Sequence, residues 1–296
     1  MKKRIITASA ALFLLVGAVL LIAPRIANQI GKEEAHSAIE QFEELKGGIE
    51  QTNPATEPTN AAKKPNETNT TAQHSEERSA DDYRSDDENY SAEYHIDADR
   101  LYRDSVAYNE KLKAEQYDLL INETSYRQAS LNLYDYGVPN NIYGYISASS
   151  IGMELPIYLG ATDDNMAFGA AHLTYTSLPI GGESTNCVLA AHTGYIGKVF
   201  FDDIRYLQIG DVVTITNYWD KLTYKVTDKQ IYKKYESSNC YITDKKDLLT
   251  LITCAHSGAD RFYVMCERVD NLSTSVTLDP SREPDVGENG NPSFPR

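Results

Sequence analysis

Hydrophobic and polar positions divide this chain into regions of different character. Residues 5–23 carry no charge and are long enough to cross a bilayer, because about 20 apolar residues span its hydrocarbon core. The basic stretch at residues 1–4 predicts a cytoplasmic N-terminus and an exported remainder. A cleaved signal peptide also fits this start, but no small-x-small cleavage site follows Ala23. We therefore predict a single-pass transmembrane signal-anchor at residues 5–23.

Residues 24–98 largely lack an apolar period and are rich in Thr, Asn, Pro, Ser and acidic residues. Such a segment buries too little apolar surface to offset the conformational entropy of the chain. We predict a flexible extracellular stalk here and a polar C-terminal tail at residues 273–296. The formal net charge of -15 argues against nucleic acid as a partner.

A helical segment is predicted at residues 99–141. Leu101, Tyr108 and Leu112 are spaced by seven and four positions, which places them on one face of a helix. The turn-rich stretch NLYDYGVPNN closes the segment.

Residues 142–272 change to short runs rich in β-branched and aromatic residues, separated by turn formers. This pattern predicts a mainly β domain, either a barrel or a sandwich, that is large enough for its own core. The predicted strands are IYGYISASSI, MELPIYLG, NCVLAAH, DVVTITNYW, LTYKVTDKQIY, LLTLITC and RFYVMCERV.

The four cysteines of the chain differ in their surroundings. An even number in an exported domain allows a disulfide framework, with three pairings open. No CxxC pair and no histidine cluster at zinc spacing occurs, so we expect no metal site. Cys187 and Cys266 lie inside strand-like runs, where a cysteine is usually a small buried side chain. Cys240 lies in a predicted loop, whereas Cys254 ends its strand and can face a cleft.

A nucleophilic cysteine needs a base or counter-cation and a group that stabilises an oxyanion. His192 ends an apolar strand in the same way as Cys254 and is a candidate for the first role. His256 is a second candidate because it lies two positions after the cysteine. Arg261 begins the next strand, so a short turn would bring it back beside the thiol. Taken singly, each of these residues also fits a purely structural role.

Together they resemble the sortases, the cysteine transpeptidases of Gram-positive cell surfaces. TLITC is similar to the TLxTC signature of that family, LAAHTG to its strand-end histidine block, and Arg261 to the arginine that opens the next strand. The resemblance covers about residues 106–269 and implies a closed eight-stranded β-barrel with short helices. It implies Cys254, His192 and Arg261 as the catalytic residues and Thr253 as a residue that lines the substrate site.

The family cleaves LPXTG-like sorting signals after the threonine, holds the product as a cysteine thioester, and passes it to an amine without a cofactor. The chain looks most like class C sortases, whose acceptor is a pilin lysine. Two departures favour the alternative of anchoring proteins to peptidoglycan. Residues 115–135 lack the Asp-Pro-aromatic lid motif of class C, and TLDPSREPDVGENGNPSFPR is not a second membrane segment. An inactive wall-spanning binding module is the alternative from another functional class.

Overall fold

The computed structural model describes residues 2–52, 95–119, 127–194, 201–234 and 236–269. The predicted tail at residues 273–296 and residues 53–94 of the predicted stalk lie outside these ranges. Among the described residues, no helix combines the length and the apolar character that a membrane crossing requires. The signal-anchor therefore stays a prediction. The helices are α1 (Lys2–Thr52), α2 (Ala98–Leu119) and α3 (Asn165–Phe168), and the strands are β1 (Gly144–Ala148), β2 (Met153–Leu159), β3 (Ala170–His172), β4 (Thr185–Ala190), β5 (Val212–Asn217), β6 (Lys221–Lys233), β7 (Asp247–Ala255) and β8 (Asp260–Arg268).

The eight strands form a closed barrel in the order β1-β2-β3-β4-β7-β8-β6-β5. Strands β2 and β3 pair in parallel, as do β4 and β7, and the other neighbours are antiparallel. This confirms the closed eight-stranded barrel that the resemblance implied. The sequence pattern predicted seven of the strands and missed β3, because three residues with no β-branched member carry no recognisable alternation.

Side chains that alternate along the strands fill the inside of the barrel. On β7, Leu249, Leu251 and Ala255 belong to this interior core, and Phe262 and Val264 join it from β8. The intervening residues of these strands therefore face outward, and this alternation decides which face each candidate site residue occupies.

Helix α2 packs on the outside of the barrel through the face that the spacing predicted. Leu101 and Leu112 are fully buried, and Tyr108 is half-buried against the hydrophobic cluster that contains Leu101. Trp219 Nε1 donates to the carbonyl of Ala98 at 3.2 Å, which fixes the start of the helix.

The structure corrects the prediction of a flexible stalk for residues 24–52. Residues 24–52 continue α1, and Ala35, Ile39 and Phe42 are buried against the rest of the molecule. The Phe42 ring lies 4.7 Å from that of Tyr218, measured between centroids. The spacing of four and three positions places these residues in one apolar stripe along the helix. This stripe is buried although the average composition of the segment is polar.

Candidate active site

The end of β7 presents one cysteine that differs from the other three. All four thiols are free, but Cys254 is half-buried whereas Cys187, Cys240 and Cys266 are at most 2 % exposed. Burial raises the pKa of Cys240 to about 12 and also raises the pKa values of Cys187 and Cys266. Because the thiolate is the nucleophilic form, these three cysteines are unsuited to covalent chemistry.

Arg261 lies directly opposite Cys254 across the antiparallel pair of β7 and β8. The connection between them turns sharply, with His256 at φ 47° and Gly258 at φ 89°, both in the left-handed region. Arg261 Nη1 donates to the carbonyls of Gly258 and Asp260, each at 3.0 Å. A guanidinium carries five N–H donors, so Arg261 has the donor capacity to bind a peptide carbonyl or an oxyanion as well.

His192 follows β4, the strand on the other side of β7. The parallel register pairs Ala190 with Ile252, and the amide of Ala191 donates to the carbonyl of Ile252 at 3.3 Å. Two further residues along this register bring the backbone of His192 beside that of Cys254. The ends of three adjacent strands thus bring together the regions that carry the predicted cysteine, histidine and arginine.

Thr253 does not occupy the place that the sequence predicted for it. Its side chain is 4 % exposed and its Oγ1 donates to the carbonyl of Ala191 at 2.9 Å. It alternates with Cys254 and therefore points to the interior face of β7. The predicted contact of this side chain with substrate is corrected to a structural tie between β7 and the residue before His192.

The residues after His192 are held as well, by a segment that the sequence analysis did not connect with the site. The amide of Phe201 donates to the carbonyl of His192 at 3.1 Å. Asp202 Oδ1 accepts from Thr193 Oγ1 at 3.0 Å and from the amide of Gly194 at 2.7 Å. An acidic residue shortly after a histidine was the only sequence signal for this role.

A second histidine lies close to the site in the β7–β8 connection. His256 Nδ1 forms a 2.8 Å hydrogen bond with Asp260 Oδ2, and Lys233 Nζ donates to Asp260 Oδ1 at 3.1 Å. The hydrogen bond from His256, and after it the one from Lys233, lowers the pKa of Asp260 and keeps this carboxylate ionised. His256 thus closes the short connection whose carbonyls hold Arg261. Among the described residues, no group of three or more His, Cys, Asp and Glu side chains is placed to hold a metal ion.

The outward faces of β4, β7 and β8 form an apolar surface next to Cys254. We call it the outer apolar cluster. Its buried members are Val188, Ile252 and Tyr263 on these strands and Cys240 from the connection between β6 and β7. Ala190 and Leu173 pack against the cluster and are partly exposed. Ile252 lies two positions before Cys254 on the same face of β7, and Tyr263 lies two positions after Arg261 on the same face of β8. The cluster is therefore adjacent to the candidate catalytic residues.

Comparison with known proteins agrees with this geometry. Residues 146–269 match the Sortase family, described as the sortase domain. The barrel is a sortase domain. Its match includes the ends of β4, β7 and β8 and therefore Cys254, His192 and Arg261.

The relatives of this sortase domain span more than one type. Sortase A of Bacillus anthracis is 33% identical over 116 residues, which cover 38% of this chain and 52% of that protein. The chain thus spans about half the length of this curated relative. Sortase C1 of pilus island 1 from group B Streptococcus has a TM-score of 0.54 at 25% identity, covering 59% of this chain and 89% of that one. Sortase C-1 from Actinomyces oris has a TM-score of 0.51 at 32% identity, covering 58% and 99%.

Proposed function

We propose that this chain is a cysteine transpeptidase that cleaves an LPXTG-like sorting signal after its threonine and transfers the acyl group to an amine. The observation that carries the proposal is the half-buried Cys254 opposite Arg261, at the end of the strand that neighbours His192. The sortase-domain match over the same residues supports it.

The first half of the proposed reaction forms a thioester. The thiolate of Cys254 attacks the threonine carbonyl, and the charge that develops on the carbonyl oxygen is stabilised by the guanidinium of Arg261. The amide C–N bond then breaks. The imidazolium of His192 donates its proton to the departing amine, which leaves neutral.

The second half transfers the acyl group. A neutral acceptor amine attacks the thioester carbonyl, the C–S bond breaks, and the thiolate of Cys254 is restored. The proton that the attacking nitrogen loses passes to the now neutral His192, which returns the site to its starting state.

Leu173 and Ala190, which are partly exposed beside the buried members of the outer apolar cluster, give the sorting signal an apolar place to bind. The leucine and proline of the signal precede the scissile threonine, so they would lie along this apolar surface while the threonine carbonyl reaches Cys254.

We further propose a pilin lysine as the acceptor, at the outer face of a cell membrane to which residues 5–23 anchor the chain. The likeness to C-type sortases, one of them named for a pilus island, supports this assignment. Attachment to a peptidoglycan precursor is the second candidate, and the 33% identity to a sortase A supports it.

The test mixes the full chain with an LPXTG peptide and a set of amines: a lysine-bearing pilin-like peptide, a peptidoglycan stem peptide, and none. Mass spectrometry of the products should show cleavage after threonine and coupling to one of the amines, with neither in a Cys254→Ala variant. Cleavage without coupling would contradict transpeptidation and indicate a hydrolytic cysteine protease. The absence of both, with several sorting peptides, would contradict the enzyme and favour a binding module.

A further inference from the structure

Gln116, near the C-terminal end of α2, ties together three segments that are distant in sequence. Its Nε2 donates to the carbonyls of Tyr175 at 3.0 Å and Cys240 at 3.4 Å, and its Oε1 accepts from the amide of Ile242 at 2.7 Å. The residue is only 5 % exposed. A buried amide that is satisfied by backbone groups on both sides fixes the distance between those segments.

Cys240 and Ile242 belong to the β6–β7 loop, whose described residues 236–246 lie beside the outer apolar cluster. The Cys240 side chain is part of that cluster, together with Ile252 and Tyr263. Tyr263 OH also donates to the carbonyl of Glu236 at 3.0 Å. The loop therefore forms one wall of the surface that leads to Cys254.

The barrel itself holds the same loop at other positions. Asn186 Nδ2 donates to the carbonyls of Asn239 at 2.9 Å and Tyr241 at 3.1 Å. The bonds from Asn186 and those from Gln116 alternate along residues 239–242. The barrel and α2 thus both position this wall: the barrel binds Asn239 and Tyr241, and α2 binds Cys240 and Ile242.

We propose that Gln116 is a positioning residue for the peptide-binding surface, through which α2 sets the affinity of the barrel for its sorting signal. This inference rests on the proposed function, since it assigns the sorting signal to the outer apolar cluster. It gives α2, a helix outside the matched sortase domain, a part in substrate recognition rather than only in stability.

The chain contains a matched control for this residue. Asn109 lies seven positions before Gln116 on the same face of α2 and is 3 % exposed. It also bonds backbone on both sides, since Nδ2 donates to the carbonyl of Leu178 at 3.3 Å and Oδ1 accepts from its amide at 2.7 Å. Asn109 thus docks the helix on Leu178, and among the described residues its side chain forms no hydrogen bond with the β6–β7 loop.

The test measures binding of a fluorescent LPXTG peptide by anisotropy to the full chain in a Cys254→Ala background, and KM and kcat in the active chain. We expect Gln116→Met to raise Kd and KM about tenfold, which equals about 1.4 kcal/mol, with kcat changed less than twofold. Gln116→Glu keeps the acceptor for the amide of Ile242 and should lie between Met and the parent. Asn109→Leu should lower the melting temperature about as much as Gln116→Met does and should leave Kd unchanged.

The outcomes separate this inference from the proposed function. Equal effects of the Gln116 and Asn109 variants on Kd, or no effect of either, would overturn the positioning role. A parent chain that binds none of the sorting peptides would overturn it as well. Peptide that binds with an affinity dependent on Gln116 but is never acylated would uphold the inference and contradict transpeptidation.

Discussion

Replacement of Thr253 by valine separates a structural role from a role in binding substrate. Valine keeps the shape of the side chain and removes the hydroxyl that donates to the carbonyl of Ala191 at 2.9 Å. That carbonyl then loses a buried donor, which costs about 1–3 kcal/mol of the free energy of unfolding. With a urea m-value of about 2 kcal/mol per M, the unfolding midpoint should fall by about 0.5–1.5 M.

The same tie holds the residue before His192, so activity should fall as well. Misplacement of a catalytic group by about 1 Å can cost about 100-fold in rate. We therefore expect Thr253→Val to lower kcat at least tenfold while KM for the sorting peptide stays within a factor of two. Thr253→Ser keeps the donor and loses one buried methyl group, a cost of about 1 kcal/mol, and should retain most of kcat.

The assay is steady-state cleavage of a quenched LPXTG peptide, with urea unfolding of the same preparations followed by circular dichroism. A Thr253→Val variant with unchanged stability, unchanged kcat and a raised KM would contradict the structural role of the Thr253 hydroxyl. It would restore the role in lining the substrate site that the family resemblance implied for Thr253.

Three further predictions address the thiols, the buried histidine and the packing of α1. Iodoacetamide should add one adduct to the native chain, at Cys254, and further adducts only in denaturant; native labelling of a second cysteine by intact mass would contradict the burial of the other three. Burial lowers the pKa of His172 from 6.5 to about 4, so the unfolded chain binds this proton first as pH falls. The free energy of unfolding should then drop by about 3 kcal/mol between about pH 6.5 and 4, and His172→Gln should lack this part in urea titrations. Phe42→Ala should cost about 3–5 kcal/mol because the ring is fully buried, and an unchanged melting curve would mean that α1 does not pack on the barrel.

The candidate catalytic residues could be predicted because each stands at a strand boundary that the sequence shows. Cys254 and His192 end apolar runs, and Arg261 begins one. Closure of the barrel then brings those boundaries to one place through the register of β4, β7 and β8. The pairing of β4 with β7 joins residues 62 positions apart, which no local pattern specifies.

The face of Thr253 could not be read from its own strand. Leu248, Leu249, Leu251 and Ile252 are apolar on both faces of β7, because the interior core covers one face and the β6–β7 loop covers the other. The alternation that would normally mark the inward face is therefore absent from the sequence.

Long-range polar contacts were equally invisible. Gln116 lies in a polar stretch of α2, and its partners are 59, 124 and 126 residues away. In α1, the charged residues around Ile39 and Phe42 concealed a narrow apolar stripe. Both features depend on which surface the helix meets, and composition does not contain that information.

Acyl transfer through Cys254 can be tested by trapping the acyl-enzyme. The full chain is mixed with an LPXTG peptide without an amine, quenched in acid, and measured by intact mass and peptide mapping. We expect one adduct with the mass of the peptide up to its threonine, located on Cys254, released by hydroxylamine and missing from Cys254→Ala. An adduct on another residue, or an unmodified chain after the peptide has been cleaved, would contradict it.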